Sequence, residues 1–66
     1  MTIGQNLRML RKEQKLSQTQ LAEKLGLSQD TVSLWELDKA LPDVLSVIKL
    51  AKIFDVTTDE ILCVQV

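Results

Sequence analysis

The residues of this chain best suited to recognition chemistry lie close together. Gln29, Asp30, Ser33, Leu34 and Leu37 share one broad arc of a helical wheel at 100° per residue, over a helix expected at about 28–36 and the residue after it, while Val32 and Trp35 lie opposite. A Gln side chain can bridge N6 and N7 of adenine, Ser can pair with several bases, Asp can accept from cytosine N4, and Leu can touch a thymine methyl. An ordinary solvated helix face would carry the same residue types. Bond-making chemistry finds no comparable cluster. There is no His, Cys63 is the single cysteine, and Gly4 and Gly26 stand alone. A metal cage, a nucleophile with its base, and a glycine-rich phosphate loop are all missing. The expectation is no enzyme, no cofactor, no metal and no small-molecule ligand.

The elements that must position this arc read as two helices around a tight turn. The stretch Leu16 to Glu36 runs helix, Leu25-Gly-Leu-Ser28, helix. Gly26 can take the left-handed conformation that ends one helix, and Ser28 can cap the next. Two helices joined by a 3–4-residue turn containing Gly make a helix-turn-helix, although any helical hairpin can look similar.

Further start signals divide the rest of the chain. Thr2-Ile-Gly-Gln5, Ser17-Gln-Thr-Gln20 and Thr57-Thr-Asp-Glu60 have capping-box spacing, in which hydroxyl and Gln or Glu each satisfy the other's free backbone N–H. Asp43, just after Pro42, suits a further N-cap. Between these signals the apolar spacing is helical. Ile3, Leu7 and Leu10 line a first helix; Leu21, Ala22 and Leu25 a second; Val32 and Trp35 a third. Val44, Val47, Ile48, Ala51 and Phe54 stripe a fourth, and Ile61 and Leu62 anchor a short fifth. No segment alternates as a strand would. The expected fold is all-α: a compact five-helix bundle over residues 1–66, read as a single domain.

Size and charge narrow the function further. A chain of 66 residues buries a limited core, and one thiol cannot staple it. Apolar residues make up 45% of the chain, too many for disorder and in no run long enough to span a bilayer. The first residues lack a signal-peptide layout, and a lone thiol suits a reducing cytoplasm. The net charge of −1 hides a polarity, because residues 1–25 carry +3 and residues 26–66 carry −4. A basic first third can face an anionic partner although the whole chain is slightly acidic.

At this point the sequence closely resembles the Xre-type, or phage repressor and Cro-like, helix-turn-helix family, whose fold is that of the lambda repressor DNA-binding domain. The resemblance rests on Ile3-Gly-Gln-Asn-Leu-Arg-Met-Leu-Arg11, Leu16-Ser-Gln-Thr-Gln-Leu-Ala-Glu-Lys-Leu-Gly-Leu-Ser-Gln29, Val32-Ser-Leu-Trp-Glu36, Pro42, and Leu50-Ala-Lys-Ile-Phe-Asp-Val56 followed by Thr-Thr-Asp-Glu-Ile-Leu62. It covers nearly the whole chain. It implies a transcriptional regulator, most often a repressor, that binds a double-stranded DNA operator. Gln29, Asp30, Ser33 and Leu34 would enter the major groove. Gln18, at a helix N-terminus, would anchor a phosphate, with Lys39, Arg11 and Lys15 as further phosphate contacts. Arg11 and Glu36 match positions that form an ion pair in similar repressors.

The chain departs from the family after Trp35-Glu36, where a polar or basic residue and then Gly are usual. Here stand Leu37 and Asp38. Leu37 removes a phosphate contact, and Asp30 and Asp38 bring negative charge near the presumed DNA. Phosphate neutralisation supplies much of the affinity of such proteins, so affinity per monomer should be modest. Two-fold pairing would double the contact and read half-sites one helical turn apart. Apolar residues beyond what a small core can enclose suit that role: Leu41, Leu45, Val56, Ile61, Val64 and Val66, around the fifth helix, with Ile53 and Cys63 nearby. The alternative is a protein-interaction module on the same fold, such as an antirepressor or antitoxin, whose acidic and apolar face of Asp30, Leu34, Leu37 and Asp38 binds another protein.

Overall fold

The computed structural model describes residues 1–64. Five helices follow one another: α1 (Ile3–Glu13), α2 (Gln18–Leu25), α3 (Gln29–Glu36), α4 (Val44–Phe54) and α5 (Thr58–Leu62). Among the described residues there is no strand, and no helix is long and apolar enough to cross a membrane.

The helix starts follow the hydroxyl signals. Thr2 and Ser17 each form a complete capping box, with Gln5 and Gln20 reaching back to the cap N–H at 3.0 and 2.8 Å. Ser28 accepts from the Thr31 N–H at 3.3 Å, and Thr57 accepts from the Glu60 N–H at 3.1 Å, although only this hydroxyl half of the box forms at Thr57. Asp43 occupies the N-cap position of α4 but makes no cap bond; its carboxylate accepts from the Ser46 hydroxyl instead.

The helix ends share one device. A left-handed residue follows each helix: Lys15, Gly26, Asp38, Asp55 and Cys63, at φ between 55° and 72°. The next N–H then reaches a carbonyl five residues back, as in Leu16 to Arg11, Leu27 to Ala22, Lys39 to Leu34, Val56 to Ala51 and Val64 to Asp59, at 2.9–3.1 Å. This is the Schellman closure. Only Gly26 takes the conformation without a steric cost, so four helix ends hold a side chain in a strained backbone.

The helices close around Leu7, Leu21, Ala22, Leu25, Val32, Trp35, Val47, Leu50, Ala51, Phe54 and Ile61. Fully burying a Leu, Ile or Phe stabilises by about 1.5–3 kcal/mol, so this cluster dominates the fold. Asn6 is buried among these apolar residues and donates from Nδ2 to the carbonyls of Glu60 at 2.6 Å and Ile61 at 3.3 Å. It thereby satisfies carbonyls that the last turn of α5 leaves free.

Two sequence expectations need correction. The inward stripe of α4 is Val47, Leu50, Ala51 and Phe54; Val44 and Ile48 are 77% and 41% exposed. Apolar residues occupy most positions of this helix, so its phase is ambiguous from pattern alone, and packing of Leu50 against the core decides it. Ile61, expected both to anchor the fifth helix and to lie on a dimer surface, is fully buried and takes only the first role. A five-residue helix has little apolar surface to hold it, and Ile61 is its one buried anchor. Val66, also assigned to that surface, lies outside the described residues.

Candidate nucleic-acid interface

The centre of the candidate site is a buried ion pair that ties α1 to the end of α3. Arg11 Nε donates to Glu36 Oε2 at 2.7 Å, and Arg11 Nη2 donates to Glu36 Oε1 at 3.0 Å. Arg11 Nη1 completes the set by donating to the Leu16 carbonyl at 2.8 Å. The two side chains are 10% and 3% exposed. Removing either partner would strand a buried charge, which costs far more than the intact pair contributes. The pair also leaves Arg11 few donors for a phosphate.

The network continues outward through two glutamines. Gln18 Nε2 donates to Glu36 Oε1 at 3.1 Å, and Gln29 Nε2 donates to Gln18 Oε1 at 2.6 Å. The chemistry fixes this order, because an ionised carboxylate only accepts. Gln18 must therefore turn its NH2 inward and its carbonyl outward. Gln29 then spends one N–H on Gln18, and among the described residues its second N–H and its carbonyl oxygen make no other hydrogen bond. Those two groups match the N7 acceptor and N6 donor of adenine. Gln18 opens α2 and Gln29 opens α3, so the turn around Gly26 brings both helix starts to one surface.

The remaining predicted groups flank this line. Asp30 and Leu34 are exposed on the outer face of α3, and Ser33 is half-buried beside them. Lys39 and Lys15 are exposed, each beside or at a left-handed helix end. A polar cleft lies between α1 and α3, lined by Arg8, Arg11, Gln18, Ser33, Glu36 and Leu37.

Three contributors to this site escaped the sequence reading. Asp38 does not project a free charge; it accepts from the Thr2 hydroxyl at 2.6 Å and from the Gly4 N–H at 2.9 Å. Its carboxylate thus sits on the N-terminus of α1, where free amides and the helix dipole favour an anion. Gly4 allows that approach: a Cβ there would crowd the Trp35 carbonyl and lie 2.7 Å from both the Glu36 carbonyl and Asp38 Oδ1. Arg8 was overlooked because nothing in its spacing separates it from a solvated arginine. An Asp at a helix end where Gly is usual was the one available signal for the first two.

A further set of exposed apolar residues lies outside α3. Leu41 and Leu45 are 73% and 59% exposed and Val64 is 51% exposed, whereas Val56 is partly buried against the core. Val44 and Ile48 are exposed with Leu45 on α4.

Five short helices, with a polar-faced third helix locked to the second across a glycine turn, define a helix-turn-helix domain. The helix-turn-helix family model matches residues 7–61, and the chain belongs to that family. It is 40% identical over 62 residues to the HTH-type transcriptional activator BcrR of Enterococcus faecalis, covering 94% of this chain and 30% of that protein. It is 46% identical over 44 residues to the immunity repressor protein of Bacillus phage phi105, covering 67% of this chain and 31% of the repressor. The chain thus spans about a third of the length of these relatives. Among solved structures, the P22 c2 repressor in complex with a synthetic operator superposes with a TM-score of 0.89 at 27% identity, covering 94% of each chain. A transcriptional regulator from Listeria innocua superposes with a TM-score of 0.92 at 31% identity, covering 98% of this chain and 61% of that one.

Proposed function

We propose that this chain binds double-stranded operator DNA as a transcriptional regulator, with α3 in the major groove and repression by occupancy as its mode. The observation that carries this reading is the continuous line Arg11–Glu36–Gln18–Gln29. A buried ion pair holds a glutamine, and that glutamine holds a second one with its adenine-matching edge free. Preorganisation of this kind is wasted on a solvated face and suits a surface that must read a base pair.

The roles divide accordingly. Gln29, Asp30, Ser33 and Leu34 read base edges. Gln18, Lys39 and Lys15 approach phosphates, with Arg11 chiefly supporting Glu36. Two copies pair through Leu41, Leu45, Val56 and Val64, joined by Val44 and Ile48. The reading assigns no catalytic step and places the protein in the cytoplasm with the DNA. Resemblance to an immunity repressor and to an operator-bound repressor supports the repressor mode, while the relation to an activator concerns the same binding step. The reading of α3 as a protein-binding face loses part of its basis, because the Asp38 carboxylate is already taken up at the start of α1.

The test is fluorescence anisotropy of a labelled random duplex pool at about 50 and 200 mM salt, since each neutralised phosphate adds about −0.9 to the log–log slope. Steeply salt-dependent binding is expected. Absence of binding by micromolar protein at the lower salt would overturn the reading.

A further inference from the structure

We infer that Asp30 selects one cytosine in each operator half-site by accepting from its N4 amine, which makes binding sensitive to methylation at that nitrogen. The inference rests on the DNA-binding reading above and supplies the base and the chemical mark that this reading leaves open. Asp30 is exposed in the first turn of α3, and among the described residues its carboxylate makes no hydrogen bond and no ion pair. No Lys or Arg stands between Lys24 and Lys39, so neither α3 nor the turns at its ends hold a cation to neutralise it. In the free protein the dipole of α3 favours this charge. Against a duplex the same charge meets a field of phosphates, and an unmatched carboxylate on the reading face weakens binding. Only a donor opposite it offsets that loss.

The major groove narrows the donor to one base. Guanine shows two acceptors there, and thymine shows one acceptor and a methyl group, so neither donates to a carboxylate. Adenine and cytosine each present an amine. Adenine sets its N7 acceptor beside that amine, so its reader needs a donor next to its acceptor, as Gln29 has and Asp30 lacks. No neighbour supplies one. Beside Asp30 on the exposed side of α3 stand Leu34, one turn on, and Leu37. Of the nearby hydroxyls, Thr31 is paired with Ser28 at 2.9 Å, and Ser33 is half-buried in the wall of the cleft toward α1. Cytosine carries only its C5–H edge beside N4, which an apolar Leu34 can cover. A carboxylate flanked by leucines therefore matches cytosine and no other base.

That contact depends on a single hydrogen. Cytosine N4 keeps one hydrogen for the base pair and turns the other into the groove. A methyl on N4 replaces the groove-facing hydrogen and removes the donor that Asp30 needs. A methyl on C5 leaves both hydrogens and extends the apolar edge beside Leu34.

The experiment selects duplexes from the random pool with the 66-residue chain. Anisotropy then compares cytosine, N4-methylcytosine and 5-methylcytosine at the enriched cytosine of one half-site, for wild type, Asp30→Ala and Asp30→Asn. Thermal unfolding of each variant confirms that it folds. Wild type should enrich cytosine at one position of each half-site. It should lose about tenfold in affinity with N4-methylcytosine there and lose nothing with 5-methylcytosine. Asp30→Ala should bind cytosine and N4-methylcytosine equally, and should bind a scrambled duplex more tightly than wild type because a like charge is gone. Asp30→Asn gains a donor beside its acceptor and should turn the preference to adenine. If Asp30 serves only the dipole of α3, both variants melt earlier yet keep the cytosine preference and the N4-methyl discrimination, and the inference is overturned. Wild-type binding with no enriched cytosine, or with equal affinity for N4-methylcytosine, overturns this inference alone. No wild-type binding overturns both this inference and the reading beneath it.

Discussion

The two sides of the molecule are built on different principles. On the α1–α3 side, polar groups hold one another: Arg11 with Glu36, Glu36 with Gln18, Gln18 with Gln29, and Asp38 with Thr2 and Gly4. On the α4 side, apolar residues face outward with nothing directional to hold them, as at Leu41, Val44, Leu45 and Ile48. Hydrogen bonds demand a partner and a geometry, whereas apolar area demands only to be covered. The first side therefore resists change at single atoms. The second should tolerate substitution in the monomer and respond only when two copies meet.

The sharpest way to break the contrast is at Glu36. Glu36→Ala leaves the Arg11 guanidinium buried without its carboxylate, which should cost about 3–5 kcal/mol in urea unfolding. A loss below 1 kcal/mol would mean that the pair does not organise this side. Gly4→Ala comes next. Its new Cβ meets backbone carbonyls of Trp35 and Glu36, so α1 must move away from α3, at a cost of about 1–3 kcal/mol.

Two left-handed residues give a finer comparison. Lys15 and Asp38 hold nearly the same φ, 57° and 58°, and Gly relieves the strain at either position. Lys15→Gly should stabilise by about 0.5–1 kcal/mol. Asp38→Gly gains less relief, because Asp tolerates the left-handed region better than Lys, and it loses the carboxylate on Thr2 and Gly4; charged hydrogen bonds contribute about 1.5–3 kcal/mol, so it should destabilise. Thermal melts of both variants would sink the role of Asp38 if they shifted equally upward.

The α4 side predicts smaller effects on the monomer. Leu45→Lys or Ile48→Lys should change monomer stability by no more than about 0.5 kcal/mol. Either should nonetheless shift sedimentation toward monomer at tens of micromolar. A large loss of stability would place these residues in the core. The smallest effect is acidic. The Ser46 hydroxyl donates to Asp43 and holds its carboxyl below the ordinary range. A depressed folded value means that this contribution is present above about pH 4 and is lost as the pH falls below it. Asp43→Asn should remove that increment of acid sensitivity from unfolding measured between pH 5 and 2.

The same contrast governs what could be read from the sequence. The caps at Thr2, Ser17 and Ser28, the turn at Gly26 and the inward Trp35 were legible, because each is a local rule written within four residues. The positions of Arg11 and Glu36 came from family resemblance, since nothing local links residues 25 apart. Asp38 was misread as a stray negative charge because its partners, Thr2 and Gly4, are distant in the chain. On α4 the failure was of another kind. Apolar residues at most positions leave the helix phase undetermined, so Val44 and Ile48 were expected inside. Ile61 was read two ways, as the anchor of the fifth helix and as part of a dimer surface, and the core takes it.

The measurement that tests the central claim most directly is selection of bound sequences from a random duplex pool by wild type and by Gln29→Ala. The account predicts a two-fold-related site with half-sites about one helical turn apart. It further predicts an adenine preference at one position of each half-site, which Gln29→Ala relaxes while leaving the other positions intact. Enrichment of no sequence, or an unchanged site in Gln29→Ala, would contradict the claim that α3 reads DNA through a glutamine held from behind.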